Sequence, residues 1–525
     1  MTDDRNESAA SDRSEDEPLG RRNFLRTAGV AGVAVGLAGC AGNDGDGSGD
    51  GGGTSTGGDS GGETSTPGDT EGGETMSTAS DSASKSATLQ FFTWPGYVDN
   101  ADQVMSKLRE LGLPEWIDVE MADVFGQTDD ARSQYNQWLN AGRAKPDLMA
   151  FDTGWINPFV YREQVMKLED KLPSDLVDTI KSDYNEGLVR NATDSDGNLW
   201  AFPHFPDLPM IQYNKAKVQE AGYDTSDWAT TPMSWSEFAE TAADVAEKTD
   251  TKSGYVWQAS AGVQLSCCVF NEFATSYGGA YFGNPEEYLF GPIGDRPVTV
   301  NEKPVVDSLK MGRAFLKGPD DEYASSDFPQ ISPPGVYQWG VTESNNPFQQ
   351  GDAVFSRNWP FLLPSLGSED GLGKDLGTMP MPSGVKPNEA KYPGTGGSVN
   401  ALGGWHIAAN PNTEHPEAVV EFIKAMANEE MMLETFKITG WLPPKPSVLD
   451  SSAARDRPVV GRYLDTIQFL TEHAQSRPAT TVWPTQSTRV AQRAQQALKS
   501  DSMSPQSAMD KLKTELTEIE NQFDG

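Results

Sequence analysis

The chain has 525 residues, and its 77 acidic and 41 basic side chains give a formal net charge of −36 at pH 7. A chain this acidic, with no basic stripe, repels phosphate backbones, so nucleic-acid binding is excluded as a function. Repulsion among so many carboxylates is screened best at high ionic strength, which favours a halophilic archaeon as the source over an acidic secreted protein from low salt.

The first predicted element is an export signal over residues 1–39. Arg21 and Arg22 precede an apolar stretch that is shorter than the roughly 20 residues of a membrane span. Paired arginines before such a stretch resemble the twin-arginine export signal, and the Leu-Ala-Gly-Cys ending at Cys40 resembles a lipoprotein cleavage site. We expect export to the outer face of the cell membrane, with a lipid anchor on Cys40; a short core helix is the alternative.

Residues 40–86 are rich in Gly, Ser, Thr, Asp and Glu and contain almost no large apolar side chain. Such a composition cannot bury enough surface to offset chain entropy, so we predict a disordered tether. The body that follows is long enough for two or three domains. Its two cysteines, Cys267 and Cys268, are sequence neighbours, between which a disulfide is geometrically strained, so we expect free, buried thiols.

Strand and helix patterns alternate at the start of the body. Strands are predicted at 87–94, 116–124 and 146–152, with helices between them at 100–111 and 132–141. This order predicts an α/β fold built on a largely parallel sheet, which binds ligands at the carboxyl ends of its strands. Asp152 ends the third strand and is therefore a candidate ligand contact, with a helix N-cap as the alternative role.

The rest of the body is predicted to be mainly helical. Ser234 and Glu237 have the spacing of a capping box at the start of one of these helices. The predicted helices are at 213–222, 234–248, 304–316, 415–436 (capped by Asn412 and Thr413), 488–498 and 505–523, and further strands begin at 351 and 404.

Several segments, in their order, resemble one family: the extracellular solute-binding proteins of ABC importers, in the group that binds sugars. They include PDLMAFDTGWINPFVYREQVMKLED, GNLWAFPHFPDLPMIQYNKAKVQEAG, GDAVFSRNWPF, LGTMPMPSG, GTGGSVNALGGWHIAANPNTEHPEAVVEFIKAM and SRPATTVWPTQS. The resemblance implies the type II periplasmic-binding-protein fold, with two lobes joined by crossing hinge strands. Lobe one would be 88–206 with 383–442, and lobe two 212–376 with 445–525; the crossings would fall near 206–212, 376–384 and 441–444.

The function that the resemblance implies is capture of a sugar, a disaccharide or oligosaccharide, for delivery to permease subunits in the membrane. We expect a monomer without cofactor, metal or catalytic activity. A polyamine-binding protein is the alternative, because LQFFTWPGYVDN resembles the opening of polyamine-binding relatives, where aromatic rings enclose a cation. A secreted polysaccharide-degrading enzyme is a more remote alternative, since the carboxylates are too numerous for a catalytic pair to be excluded by counting.

Sugar binding requires flat aromatic faces against the C–H face of a pyranose and planar polar groups at its hydroxyl rim. Asp152 and Arg477 are the expected hydroxyl partners, although Arg477 could instead pair with a surface acid, and each tryptophan could instead pack in a core. The candidate ligand-binding residues are Trp94, Tyr97, Asp152, Trp155, Asp207, Trp359, Gly403, Gly404, Trp405 and Arg477. Many family members carry a tryptophan before SYGG, where this chain has Phe270 and Phe273, so one stacking face is expected to be smaller.

Overall fold

A computed structural model describes residues 85–123 and 128–522. The predicted export signal, Cys40 and all but the last two residues of the predicted tether lie outside these ranges. Within them, every helix is too short or too polar to cross a membrane.

The strands of the described residues form two sheets. Their bounds are β1 Ala87–Thr93, β2 Ile117–Asp123, β3 Leu148–Asp152, β4 Phe202–Asp207, β5 Met210–Asn214, β6 Ser253–Val256, β7 Ala353–Asn358, β8 Leu376–Met379, β9 Asn400–Ala409 and β10 Ala474–Ser476. The first sheet has the order β10-β9-β3-β1-β2, with β4 also paired to β9, and the second has the order β6-β7-β5-β8. We call the first sheet and the helices on it lobe one, and the second sheet and its helices lobe two.

Helices cover both sheets. They are α1 Pro95–Val98, α2 Ala101–Glu110, α3 Thr128–Asn140, α4 Asn157–Tyr161, α5 Ser174–Asp183, α6 Glu186–Asn191, α7 Lys215–Glu220, α8 Trp235–Lys248, α9 Phe270–Ser276, α10 Pro285–Tyr288, α11 Lys303–Lys317, α12 Val341–Gln349, α13 Leu363–Leu366, α14 Pro416–Met426, α15 Glu429–Thr439, α16 Ser452–Arg455, α17 Leu464–Glu472, α18 Trp483–Lys499 and α19 Pro505–Gln522. A π-helical turn, Leu265–Val269, directly precedes α9.

Local signals explain most of these elements. The capping box predicted at the start of α8 is confirmed, because the Ser234 side chain accepts from the Glu237 backbone and the Glu237 side chain accepts from the Ser234 backbone. The single long helix predicted over 415–436 was wrong. It divides into α14 and α15, because the Asn428 side chain accepts a hydrogen bond from the backbone N–H of Glu430 and starts a new helix there.

The first sheet is mixed, and its register places polar residues at one edge. β1 runs parallel to β2 and β3, whereas β9 runs antiparallel to β3 and β4. Asp152 at the end of β3 lies opposite Trp405, and Asp207 at the end of β4 lies opposite Gly403. The central strand β9 thus carries a glycine and a tryptophan between two carboxylates.

The chain passes from lobe one to lobe two between Asp207 and Met210, where β4 ends and β5 begins. It returns between β8 and β9. The passage near 441–444 stays a prediction. Leu464, Ile467 and Leu470 lie in a buried cluster that joins residues of both sheets, β10 pairs with β9, and Trp483 packs into the core of lobe two.

The core of lobe two is built from distant parts of the sequence. Its central aromatic residues come from α8, β7 and α11, and they include Phe238, Phe355 and Phe315. The apolar sides of α18 and α19 close the same core, with side chains such as Val490 and Leu512 fully buried.

Candidate functional site

A cleft of about 500 Å³ lies between the two lobes. The first sheet contributes the ends of β3 and β4, the middle of β9 and the residue after β10. Lobe two contributes the π-helical turn, the start of α12 and the segment after β7. The residues that line it include Trp94, Asp152, Phe205, Asp207, Cys267, Cys268, Glu343, Trp359, Phe361, Gly403, Gly404, Trp405, Trp441 and Arg477.

An arginine–carboxylate pair forms the polar floor of the cleft. Nη2 of Arg477 lies 2.5 Å from Oδ1 of Asp152 and also donates to the hydroxyl of Thr153. Oδ1 of Asp152 accepts a second hydrogen bond, 2.8 Å long, from the backbone N–H of Gly154. Both ionic side chains are more than 90% buried, so the pair is strongly held and only weakly screened by salt.

Gly154 is required by this arrangement. A Cβ atom at that position would lie 2.9 Å from Cζ of Arg477 and 3.1 Å from Oδ1 of Asp152. The turn after β3 therefore brings its backbone directly against the guanidinium group and fixes the orientation of Arg477.

Two donors in this region have no hydrogen-bond partner among the described residues: Nε of Arg477 and Nε1 of Trp94. A buried donor without a partner costs free energy unless a water molecule or a ligand accepts from it. A ligand oxygen or a water molecule that reached these two buried nitrogen atoms would remove this cost.

Asp207 is the second carboxylate of the cleft. No hydrogen bond or ion pair of its side chain is found in the described part of the chain, and it is only partly exposed. The pKa of Asp207 is raised to about 7, chiefly by burial; the guanidinium groups of Arg357 and Arg477 oppose the rise, and the charge of Asp152 adds to it. Near neutral pH this carboxyl can both donate and accept.

Aromatic side chains line the lobe-one side. Trp441 stacks on Phe205 with ring centroids 4.4 Å apart and planes 8° apart, and Trp94 meets Trp405 edge to face at 4.6 Å. Phe205 and Trp441 were not among the predicted site residues. Trp441 follows the end of α15, a position that the family resemblance had marked only as a hinge crossing.

Trp359 lines the lobe-two side of the cleft. The Arg357 guanidinium lies 4.4 Å from its ring centroid, and Arg357 is itself held by Glu272, with Nη2 and Oε1 2.6 Å apart. The ring is therefore supported by a buried ion pair and has little freedom to move.

Cys267 and Cys268 form a disulfide in the structure, so the expectation of free thiols was wrong. The π-helical turn places both residues on the same wall of the cleft, where they pack with Trp359 and Ala401. No local sequence pattern indicates this proximity to the cleft, because it depends on how α9 packs.

Eight of the ten predicted ligand-binding residues line this one cleft: Trp94, Asp152, Asp207, Trp359, Gly403, Gly404, Trp405 and Arg477. The structure does not bring Tyr97 and Trp155 to it. Tyr97 is fully buried and its hydroxyl lies 2.5 Å from that of Thr435, and Trp155 packs between Phe151 and Phe159 in the core of lobe one. The described residues contain no cluster of His, Cys, Asp and Glu suited to a metal.

Residues 101–433 match the family model described as bacterial extracellular solute-binding protein. The chain belongs to this family. It is 24% identical over 370 residues to a probable ABC transporter-binding protein of Deinococcus radiodurans, covering 68% of this chain and 76% of that protein. It is 23% identical over 391 residues to the maltotriose-binding protein of Pyrococcus abyssi, covering 74% of each.

The fold agrees with that of solved solute-binding proteins. Maltose-bound T. maritima MalE3 superposes with a TM-score of 0.66 at 21% identity, covering 82% of this chain and 99% of that chain. The predicted two-lobe α/β fold is thus confirmed. The solute-binding protein is not an enzyme, so the alternative of a polysaccharide-degrading enzyme was wrong, and the polyamine alternative receives no support from these relatives.

Proposed function

We propose that this solute-binding protein captures a disaccharide or oligosaccharide in the cleft and delivers it to the permease of an ABC importer. The observation that carries the proposal is the composition of the cleft: flat aromatic surfaces on both lobes surround a buried Arg–Asp pair. A pyranose has apolar C–H faces and a rim of hydroxyl groups, and this arrangement complements both.

The polar groups have the hydrogen-bonding capacity that hydroxyls need. A hydroxyl both donates and accepts, so it can accept from Nε of Arg477 or Nε1 of Trp94 and donate to the carboxyl of Asp207. Gly403 and Gly404 also line the cleft, and the absence of side chains there lets β4 pack closely on β9, since a Cβ at Gly404 would lie 2.6 Å from the carbonyl oxygen of Phe205.

A polycation fits this cleft less well. Asp152 is already paired with Arg477, and the guanidinium group places a positive charge at the floor. Asp207 is unpaired, but with a pKa of about 7 it is only partly charged near neutral pH, so the guanidinium group would repel a polyamine, whereas a neutral sugar is not repelled.

The mechanism we propose is closure of the lobes around the ligand. A sugar that contacts Trp441 on lobe one and Trp359 on lobe two is bound more tightly when the lobes are closed, so it shifts the population toward the closed state. The closed form then docks on the permease.

The cellular setting is also a proposal. Arg21 and Arg22 would direct twin-arginine export, and lipid on Cys40 would hold a monomer at the outer face of the membrane, with residues 40–86 linking the anchor to the body. The net charge of −36 suits a halophilic archaeon.

Calorimetric titration with maltose and maltotriose in molar KCl, with spermidine in parallel, tests the ligand class. We expect a sugar to bind and spermidine not to bind. Trp94→Ala should weaken sugar binding at least tenfold. The matched control is Trp116→Ala, since Trp116 is similarly half-buried but lies outside the cleft against Lys85. Binding of spermidine but of neither sugar would overturn the proposal.

A further inference from the structure

The π-helical turn Leu265–Val269 presents its residues to two different environments. Leu265 and Val269 pack into the core of lobe two, whereas Cys267 and Cys268 line the cleft. The two cysteines belong to neither lobe core. They form a small separate apolar cluster with Trp359 and Ala401, with Val263 and Val341 packed against it.

Covalent geometry explains how two adjacent residues reach one surface. Side chains at positions i and i+1 of a regular helix point in directions about 100° apart, so they do not face the same ligand. Bonding their sulfur atoms closes an eight-membered ring through the intervening peptide, and this ring holds both sulfurs on one side. π-helical turns of this kind occur often at functional sites.

We propose that the Cys267–Cys268 disulfide and Trp359 together form an apolar contact surface for the sugar ring, and that reducing the disulfide weakens sugar binding. This inference rests on the proposed function and adds a specificity-determining element to it. The disulfide is a rigid, polarizable and apolar group of atoms, suited to contact with C–H groups. The disulfide directly precedes the segment with Phe270 and Phe273, where the sequence predicts a smaller stacking face than in many family members. Both phenylalanine side chains are buried in the lobe-two core.

Reduction would change this surface in a defined way. A dithiol such as dithiothreitol supplies two electrons and two protons, so that the S–S bond breaks, two thiols form, and the reductant closes to its own cyclic disulfide. The two thiol side chains then rotate independently, and helical geometry drives them apart. The surface loses its shape on the side where the sugar ring is held.

The test uses the full chain carrying Cys40→Ala, so that Cys267 and Cys268 are its only cysteines. Maltose and maltotriose are titrated against the oxidised and the dithiothreitol-reduced protein while tryptophan fluorescence is recorded. Thiol alkylation and mass spectrometry verify the redox state. We expect reduction to raise the Kd at least tenfold, which corresponds to about 1.4 kcal/mol. The variant C267S/C268S should bind as weakly in both conditions and show no response to reductant.

Val269→Ala is the matched control, because Val269 lies on the same turn but faces the lobe-two core. We expect it to lower the melting temperature while leaving the Kd and its response to reductant unchanged. If Val269→Ala raised the Kd as much as C267S/C268S does, the effect would come from lobe packing and the inference would be wrong.

The outcomes separate this inference from the proposed function. Sugar binding that is equal before and after reduction overturns the inference alone. Failure of the oxidised protein to bind either sugar overturns the proposed function as well. If C267S/C268S does not fold, as judged by circular dichroism, the Kd values of the oxidised and the reduced protein still test the inference.

Discussion

The Asp152–Arg477 pair should stabilise the fold and bind the ligand by separable mechanisms. Removing one partner leaves the other charge buried, and such a change costs about 3–5 kcal/mol of stability. Asp152 is 7% exposed and Arg477 is 2% exposed, so little water reaches the remaining charge. We therefore expect D152N and R477Q each to lower the free energy of unfolding by an amount in this range.

The double variant D152N/R477Q should recover most of that loss, because no charge remains buried. Ligand binding should not recover with it, since both partners of the sugar hydroxyls are still altered. The expected result is a double variant with near-normal stability and a Kd raised at least a hundredfold. Guanidinium denaturation in molar KCl measures the first quantity and calorimetric titration with maltotriose the second.

Two results would refute this reasoning. Losses of stability that simply add in the double variant would mean that the two side chains are not coupled. A Kd that returns to the wild-type value together with stability would mean that neither side chain contacts the ligand. Arg493→Gln is the control, because Arg493 pairs with Glu515 on the outside of lobe two, where both side chains are partly exposed.

Three further changes test other parts of the cleft. Because burial raises the pKa of Asp207 to about 7, the folded state binds more protons than the unfolded state between about pH 4 and 7, and stability falls as pH rises through that window. Urea denaturation should therefore give D207N a higher free energy of unfolding than the wild type at pH 8 and a nearly equal one at pH 4.5. Equal free energies of unfolding at pH 8 would contradict this prediction. W441A removes the stack on Phe205 and should lower stability by about 3–5 kcal/mol and weaken sugar binding, whereas W441F should retain part of both, as thermal melting with and without maltotriose will show. Gly404 has a φ of +144°, and a Cβ there would lie 2.6 Å from the carbonyl oxygen of Phe205. We therefore expect G404A to lower the free energy of unfolding, measured by guanidinium denaturation, by about 1–3 kcal/mol. G403A should lower it clearly less, because its Cβ would meet nothing nearer than 3.1 Å.

The sequence predicts the start of lobe one well because the information there is local. β1 and β3 are short, mainly apolar stretches, β2 alternates apolar with acidic residues, and each is paired within the first sheet. Their carboxyl ends must meet at one edge, so Asp152 could be placed near a binding site from the pattern alone.

Long-range packing decides what the sequence does not predict. Residues 446–470 have the same helical pattern whichever lobe they pack on, and in the structure they contact both: Leu464 and Ile467 share a buried cluster with lobe-one side chains, and Thr466 accepts a hydrogen bond from Thr378 on β8. Tyr97 and Trp155 show the same limit for single residues. Aromatic side chains near a strand end can face the ligand or the core, and the short turns that hold these two direct them inward.

The late position of α18 and α19 in the sequence constrains when lobe two can fold. Its sheet is encoded by residues 210–379, but its core also needs Val490, Leu512 and Leu516, which are synthesised only after strands β9 and β10 of lobe one. Until then, a nascent lobe two exposes the apolar surface that these helices later cover. Synthesis must therefore pass α19 before the second half of the cleft exists, and a chain that stops before Trp483 would carry a finished lobe one beside an unfinished lobe two.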